Sequence, residues 1–477
     1  MDTGAEVEAF KIMRQYRPHM KCDVVVIGLG AAGLWAAREA LESSKDVMVA
    51  VVDRRVGYDT YSPCALPFTL NGEVGVENVK HSLPDLPRLK KMLGGEVTKL
   101  NPEERIVTIK DVATSEVRSL EYGVCVVATG SSPVLPSIRG LREALGRGAT
   151  TFSTPEDAMG VLSTLERGVR RALVVGCGVV GMEVSHALSE RGVEVVCADA
   201  LPYPLPGVLD EDMVKMVIGH LVKEGVDIRL NTAVEEILLQ GGAVSGAYLG
   251  GEEVPVEMVI VAAGARPNSH ILQGLVEMEE GYVVVDERMR TTQEGIYAAG
   301  DVTAAPSPLP LGRIRTGLAS AAYLQGKVAG RNAAQEVVGG NPSERYPGSV
   351  GVFAAKVGAL EVAAAGLDLR SAKAADPGAF AVKMKGSSLP DYFPGGEEMT
   401  VKIIADGSGK VVGGQIVGGS GVYWRINLIA RAIMEGIGVD DLSLWEMAYT
   451  PPLSDIYDPL IHAADRARAK LKRRERG

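Results

Sequence analysis

What most restricts the fold of this sequence is a duplication. Residues 23–33, DVVVIGLGAAG, are a short apolar run closing on G-x-G-x-x-G. Helix-like LWAAREALES follows, then a second apolar run, VMVAVVD, ending in Asp53. Residues 172–182, ALVVGCGVVGM, repeat the order, with helix-like EVSHALSERG and then VEVVCAD ending in Asp199. Each copy is a β-α-β unit with an acid a little over twenty residues past its first glycine, the arrangement of a dinucleotide site. Gly28 and Gly176 permit the tight turn, and Gly30 and Gly178 let backbone amides approach a pyrophosphate at the positive helix end. Gly33 and Gly181 permit close packing of helix on strand, and Asp53 and Asp199 are placed to accept hydrogen bonds from a ribose diol. Two such sites in one chain imply two dinucleotides.

The 477 residues allow two to four domains. With aromatics at 5% and 57 glycines, the composition suits an α/β protein with many tight strand-to-helix turns. A net charge of −10 argues against nucleic acid as a partner. The basic end, RARAKLKRRERG, reads as a solvated helical tail. No apolar run approaches the ~18 residues that span a bilayer, and MDTGAEVEAFKIMRQYRPHM lacks the apolar core of a signal peptide, so a cytoplasmic location is expected. Of five cysteines, Cys22, Cys125, Cys177 and Cys197 sit in or beside strand-like runs and read as buried thiols. Cys64, in the turn-rich stretch TYSPCALPFTLNGEV, stands apart, and no cluster has metal-ligand spacing.

From 345 to about 462 the texture changes. Strand-like GSVGVFAAKVG precedes MTVKIIADGSGKVVGGQIVGG, two strands around a D-G-S-G turn, and helix-like INLIARAIMEGI follows. No glycine fingerprint occurs there, so this is a separate α+β domain.

Five stretches in order, VVVIGLGAAG, VCVVATGSSP, ALVVGCGVVGME, MVIVAAGARPN and GIYAAGDV, resemble the pyridine-nucleotide-disulfide oxidoreductases across about residues 22–462. The resemblance implies an α/β fold: two Rossmann-like dinucleotide-binding domains, the FAD domain discontinuous, plus a C-terminal α+β dimerisation domain. Its boundaries would be an N-terminal extension (1–20), an FAD domain (21–150 and 270–340), an NAD domain (151–269), a dimerisation domain (345–462) and the basic tail (463–477). FAD would sit in the first repeat, with Asp53 on its adenosine ribose and Gly300-Asp301 at its ribityl chain. Thr129 and Gly130 in ATG, and Gly264 in AAG, would be strand ends where the chain crosses between nucleotide domains, and the helix-like run 316–330 would point its N-terminus at the flavin pyrimidine. The second repeat would hold NADH rather than NADPH, because Asp199 repels a 2′-phosphate and ADALPYPLP offers no Arg or Lys to neutralise one.

Two-cysteine members of this family carry C-x-x-x-x-C and a C-terminal HPxxxE pair. Here no second cysteine lies near Cys64, and the corresponding C-terminal region reads AYTPPLSDIYDP. The resemblance is therefore to the single-cysteine branch: coenzyme A disulfide and persulfide reductases, NADH oxidases and NADH peroxidases. SPCALPF is close to the CGLPY signature of the coenzyme A disulfide reductases, with Ala65 for glycine and Phe68 for tyrosine. A thiolate of depressed pKa at Cys64 would attack a small disulfide, persulfide or polysulfide and be released by electrons from NADH through flavin. Ala31 stands where peroxidases and many oxidases place a histidine, which disfavours them. Coenzyme A as substrate is opposed by Glu39 and Glu42 beside Arg38 on the first helix, where basic residues would be expected. Tyr392 and Tyr449 match places where this group presents tyrosines from a partner subunit, which implies a homodimer with shared active sites and the helix YWRINLIARAIMEGI buried between protomers. An NADH oxidase and a flavin electron-transfer component serving a protein acceptor are the alternatives.

Overall fold

The computed structural model describes residues 20–476. Runs of β-branched residues buried on both faces build its first sheet, as a parallel sheet covered by helices requires. Val24, Val25, Val26, Val49, Val51, Val126 and Val127 all have 0% exposure. The parallel strands lie in the order Leu89–Leu93, Val49–Asp53, Met20–Ile27, Val117–Val127. Ile296–Ala298 then pairs in parallel with the C-terminal half of Val117–Val127, so a segment far along the chain completes the sheet. The N-terminal half of Val117–Val127 instead takes the antiparallel hairpin Gly95–Asn101 and Ile106–Asp111.

Small residues decide how this sheet is covered. Helix Ala31–Ser43 packs against helix Ala319–Val337, and a Cβ on Gly326 or Gly330 would lie 2.2 Å from the carbonyl oxygen of Ala32 or Ala36. Only glycine permits that backbone approach.

A second parallel sheet follows the second glycine turn, ordered Ala149–Thr151, Met258–Val261, Arg171–Val175, Glu194–Ala198, Val226–Arg229. A three-stranded antiparallel sheet, Val234–Gln240, Ala243–Leu249 and Glu252–Val254, is inserted in it. The C-terminal part is a five-stranded antiparallel sheet, ordered Phe353–Val357, Leu360–Gly366, Val411–Gly418, Glu398–Ala405, Phe380–Ser387. The α/β class with two dinucleotide-type sheets, the first discontinuous, and a C-terminal α+β domain is thus the observed one.

Two helices differ from expectation. Helix Val422–Met434, expected between protomers, buries Ile426, Ile429 and Ile433 in its own domain's core. Its apolar positions recur at helical spacing and the neighbouring sheet face claims them first. The basic C-terminus is helical within Pro459–Arg476, but it is no free tail, because Leu460, Ala463, Ala464, Ala467 and Leu471 pack into that core. Its charges occupy the opposite face. Residues 1–19 of the expected N-terminal extension lie outside the described residues. Among those described, no helix is long and apolar enough to cross a membrane.

Candidate active site

The two glycine turns have the same construction. Gly28 has φ +92°, and a Cβ there would meet the Ala128 carbonyl oxygen at 2.3 Å. Gly176, with φ +100°, would meet the Ala262 oxygen at 2.5 Å. Cβ atoms on Gly33 and Gly181 would lie 1.8 and 1.9 Å from the Gly28 and Gly176 oxygens. The fold demands these four glycines. Gly30 and Gly178 differ: nothing lies within 4 Å of a Cβ at either, and both backbones are extended. Each precedes a helix, Ala31–Ser43 or Val179–Glu190, whose N-terminus has no side-chain cap. Open space beside uncapped amides is what a dinucleotide pyrophosphate requires, so both turns fit the group their sequence implies.

The two acids are not equivalent. Asp199 accepts the N–H of Cys177 at 2.9 Å on one oxygen and of Leu201 at 2.9 Å on the other, and it is half-buried, with room for a diol. Asp53 is 8% exposed and accepts from Leu29 N–H (2.7 Å), Arg55 N–H (2.9 Å), Arg55 Nε (2.8 Å) and Arg55 Nη2 (2.7 Å). Burial opposes its charge, but Arg55 outweighs burial and holds the carboxyl below its usual range. All four lone-pair positions of Asp53 are engaged. A ribose hydroxyl must share that carboxylate with Arg55, whose guanidinium also lies 5.3 Å from the Tyr61 ring centroid.

Asp301 follows a turn held by Gln325, whose Oε1 accepts Gly300 N–H at 2.7 Å and Thr303 Oγ1 at 3.0 Å. A Cβ on Gly300, φ +84°, would lie 2.9 Å from Ala32 Cβ, so the turn sits directly on the first helix. Burial raises the Asp301 carboxyl, against a hydrogen bond from Ser131 Oγ at 3.1 Å. Thr129 and Gly130 are knitted to the other crossover: Thr129 Oγ1 donates to Asn268 O at 2.7 Å, and Asn268 N donates to Gly130 O at 2.9 Å. Gly264, φ +89°, accepts Val134 N–H there at 2.9 Å. These residues lace together the segments joining the two nucleotide halves.

Cys64 lies in a 3-10 turn, Pro63–Ala65, that runs into the short helix Pro67–Leu70. It is exposed, whereas the other four cysteines are buried. The turn is fixed from the second nucleotide half. Tyr61 OH donates to Ser153 O at 2.7 Å, and Leu66 and Leu70, at 1% and 0% exposure, pack in the core that contains Phe152, Val161 and Met182. Although the residue is exposed to solvent, the chain packed around its turn partly desolvates the sulfur, and this raises the thiol's pKa first, followed by the charges of Glu183 and Asp301. The depressed pKa expected from the sequence is therefore not supplied by the protein's own groups, because both nearby charges are negative.

Glu183 was not singled out in the sequence. It stands two residues after Gly181, on the helix of the second turn, and burial pushes its carboxyl up to about 7 against a backbone hydrogen bond from Lys356. With Pro67, Phe68, His186 and Lys356 it lines a cavity of about 280 Å³ behind the cysteine turn. Two negative charges thus act on Cys64, that of the Asp301 turn and that of the Glu183 helix.

Tyr392 and Tyr449 share one hydrogen bond between their hydroxyls, 2.9 Å apart, and the residues are 71% and 41% exposed. Tyr423, Leu444, Leu453, Ile456 and Tyr457 are also exposed in the same domain. The same domain contains a buried ion pair, Arg425 to Asp458, each 1% exposed and 2.7 Å apart. On the first helix, the repulsion expected from Glu39 and Glu42 is absent. Glu39 is 4% exposed and paired with Arg331 (2.7 Å) and Lys327 (3.5 Å), and Glu42 is paired with Arg38 (2.7 Å). Long side chains on the facing helix reach Glu39, and Arg38 on the same helix reaches Glu42. Trp35 and Tyr323 meet edge-to-face at 4.5 Å, with Arg38 4.7 Å from the Trp35 ring centroid and Lys327 5.4 Å from that of Tyr323.

Two dinucleotide-type turns and one exposed cysteine on this fold define a flavin- and nicotinamide-type oxidoreductase architecture. Residues 22–326 match the family described as pyridine nucleotide-disulphide oxidoreductase, and residues 352–460 match its dimerisation domain. The chain belongs to the pyridine nucleotide-disulphide oxidoreductases. It is 32% identical over 453 residues, 94% of this chain and 99% of the other, to an NADH oxidase of Methanocaldococcus jannaschii. It is 29% identical, over 93% and 98% of the two chains, to an NAD(P)H coenzyme A polysulfide/persulfide reductase of Pyrococcus horikoshii. Among solved structures, the NAD-dependent persulfide reductase from A. fulgidus matches with a TM-score of 0.88 at 32% identity, over 95% of this chain and 84% of that one.

Proposed function

We propose that this protein carries electrons from NADH, through FAD, to Cys64 and on to a small disulfide, persulfide or polysulfide. Residues 21–150 with 270–340 would form the FAD domain, 151–269 the NAD domain and 345–462 the dimerisation domain. Gly28, Gly30, Gly33, Asp53, Gly300, Asp301, Thr129 and Gly130 would line the FAD site, and Gly176, Gly178, Gly181, Asp199 and Gly264 the NADH site. FAD supplies, when bound, two-electron transfer between a hydride donor and a sulfur acceptor. The chain's own work is at sulfur. Cys64 thiolate attacks the S–S bond, forming a mixed disulfide and expelling one thiolate, and two electrons then cleave that bond and release the second. Glu183, titrating near neutrality, is placed to take up and return protons at this centre. Tyr392 and Tyr449, brought by the partner protomer, would donate to the departing thiolate. A cytoplasmic location fits a centre that works with a free thiol.

The observation that carries this proposal is that Cys64 alone among the five cysteines is exposed, in a turn packed on the second nucleotide half through Leu66 and Leu70. Coenzyme A as the thiol carrier is favoured by the neutralised carboxylates of the first helix and by the Trp35–Tyr323 pair with Arg38 and Lys327, suited to a base and phosphates. A second function, reduction of oxygen, is favoured by the similarity to the M. jannaschii NADH oxidase. Turnover of Cys64→Ser with disulfide, persulfide and oxygen separates the two. Loss with sulfur substrates supports the thiol route, and full retention with them refutes it.

A further inference from the structure

A second sulfur pair lies in the other nucleotide turn. Cys177 stands between Gly176 and Gly178, and Cys197 precedes Asp199 by two residues on strand Glu194–Ala198. Parallel pairing sets Val174 opposite Cys197, so the turn leaving Arg171–Val175 folds back over that strand end. The two sulfur atoms are 2.7 Å apart, and the residues are 1% and 0% exposed. A disulfide bond is about 2.05 Å long, so a shift of about 0.6 Å joins them. Cys125, equally buried in the first sheet, has no such neighbour among the described residues.

We propose that Cys177 and Cys197 form a disulfide that fixes the NADH turn, a second sulfur centre separate from Cys64. A small disulfide RSSR is the oxidant. One cysteine, as thiolate, attacks RSSR, bonds to one sulfur and expels RS⁻. The other cysteine attacks the protein sulfur of that mixed disulfide, closing Cys177–Cys197 and expelling the second RS⁻. The two thiol protons end on two RSH, and the electron pair lost by the cysteines is gained by RSSR. The neighbouring Cys197 sulfur and burial hold the Cys177 thiol above its ordinary pKa, so closure is slow in the folded chain. Burial shields the finished bond from reductants by the same means.

The bond has a consequence for NADH. Cys177 N–H donates to Asp199 Oδ2 at 2.9 Å, and Gly176 N–H donates to Ala198 O at 2.8 Å. The disulfide therefore straps the turn beside the pyrophosphate position to the strand end carrying the ribose acceptor. Cys177 and Cys197 are free thiols in this structure, where these hydrogen bonds hold the turn. The oxidised form accordingly fixes the NADH-binding geometry, and the reduced form leaves it free to fluctuate.

The test is to incubate the holoenzyme with hydroxyethyl disulfide, quench it in acid, alkylate under denaturing conditions and map the peptides by mass. The expected result is a linked pair of peptides containing Cys177 and Cys197, with Cys22 and Cys125 alkylated and the link unchanged in Cys64→Ser. The KM for NADH should be about three-fold higher in the dithiol than in the disulfide form, with kcat unchanged, as for loss of preorganisation. Cys197→Ser should show the KM of the dithiol form with or without incubation in hydroxyethyl disulfide. Recovery of alkylated Cys177 and Cys197 after Cys64 has fully reacted overturns the disulfide. A linked protein whose KM for NADH equals that of the dithiol overturns its role at the turn.

Discussion

Gly30→Ala separates what the fold needs from what a cofactor needs. Gly30 has φ −76° and ψ −166°, a conformation open to any residue, and a methyl there meets no atom within 4 Å. Without ligand the substitution should be neutral or stabilising, by about 0.4–1 kcal/mol, through the lower entropy of the unfolded chain. Gly33→Ala is the contrast, because its methyl would sit 1.8 Å from the Gly28 oxygen and the helix could not dock. With FAD the outcome for Gly30→Ala reverses. The methyl occupies space beside the uncapped amides of Ala31–Ser43 and separates them from the pyrophosphate. Loss of one hydrogen bond to a charged group costs about 1.5–3 kcal/mol, or roughly ten- to a hundred-fold in Kd. Urea midpoints of the stripped apoprotein and titration of flavin fluorescence measure the two effects separately. The reasoning fails if Gly30→Ala binds FAD as tightly as the parent, or if its apoprotein is destabilised like Gly33→Ala.

Two further outcomes follow from the C-terminal ion pair and from the charges around Cys64. Asp458→Ala leaves Arg425 buried at 1% exposure without its carboxylate and should cost about 3–5 kcal/mol in urea unfolding; a loss under 1 kcal/mol would mean water replaces the partner. Glu183 titrates at about 7 and its anion raises the Cys64 pKa. Below that pH the glutamate is neutral, so Glu183→Gln and the parent should be alkylated by iodoacetamide at the same rate. Above it the parent's carboxylate opposes the thiolate, and the variant should react faster, with a lower apparent thiol pKa; superimposable pH profiles would show that Glu183 does not act on the sulfur.

The parts of the molecule that were legible in the sequence are those whose chemistry is local. A glycine turn between an apolar strand and a helix is specified within a dozen residues, and both were found with their acids. The separate standing of Cys64 was also legible, from the turn residues around it and the lack of a second cysteine nearby. Its electrostatics were not, because the charge of Glu183 acts from the helix Val179–Glu190, more than a hundred residues along the chain. The engagement of Asp53 had a signal two residues away in Arg55, passed over because a dinucleotide motif assigns the acid to the ligand. Glu39 looked like an exposed helix carboxylate, yet its partner Arg331 comes from a helix that is remote in sequence and close only because Gly326 and Gly330 lack side chains. The Cys177–Cys197 pairing was readable in principle, since one unit carries a cysteine in its turn and another beside its acid, but the strand register was needed to superpose them.

The cysteine turn belongs to the first nucleotide unit by sequence and to the second by packing. Leu66 and Leu70 are 1% and 0% exposed within the core that surrounds Met182 and Val184. Burying two such side chains is worth roughly 3–6 kcal/mol, and Tyr61 adds its hydrogen bond to Ser153 O. The partners that hold the turn to its own half include the short pairing of Thr60 and Tyr61 with His81 and Lys80 and the Ser62 Oγ to His81 Nε2 contact at 2.9 Å, both near the surface. The stronger attachment therefore runs to the second nucleotide-type unit. A displacement of that unit relative to the first sheet would carry Cys64 with it and change the distance from the sulfur to the Asp301 turn. The laced crossovers at Thr129, Gly130, Gly264 and Asn268 join the two units and so limit any such displacement.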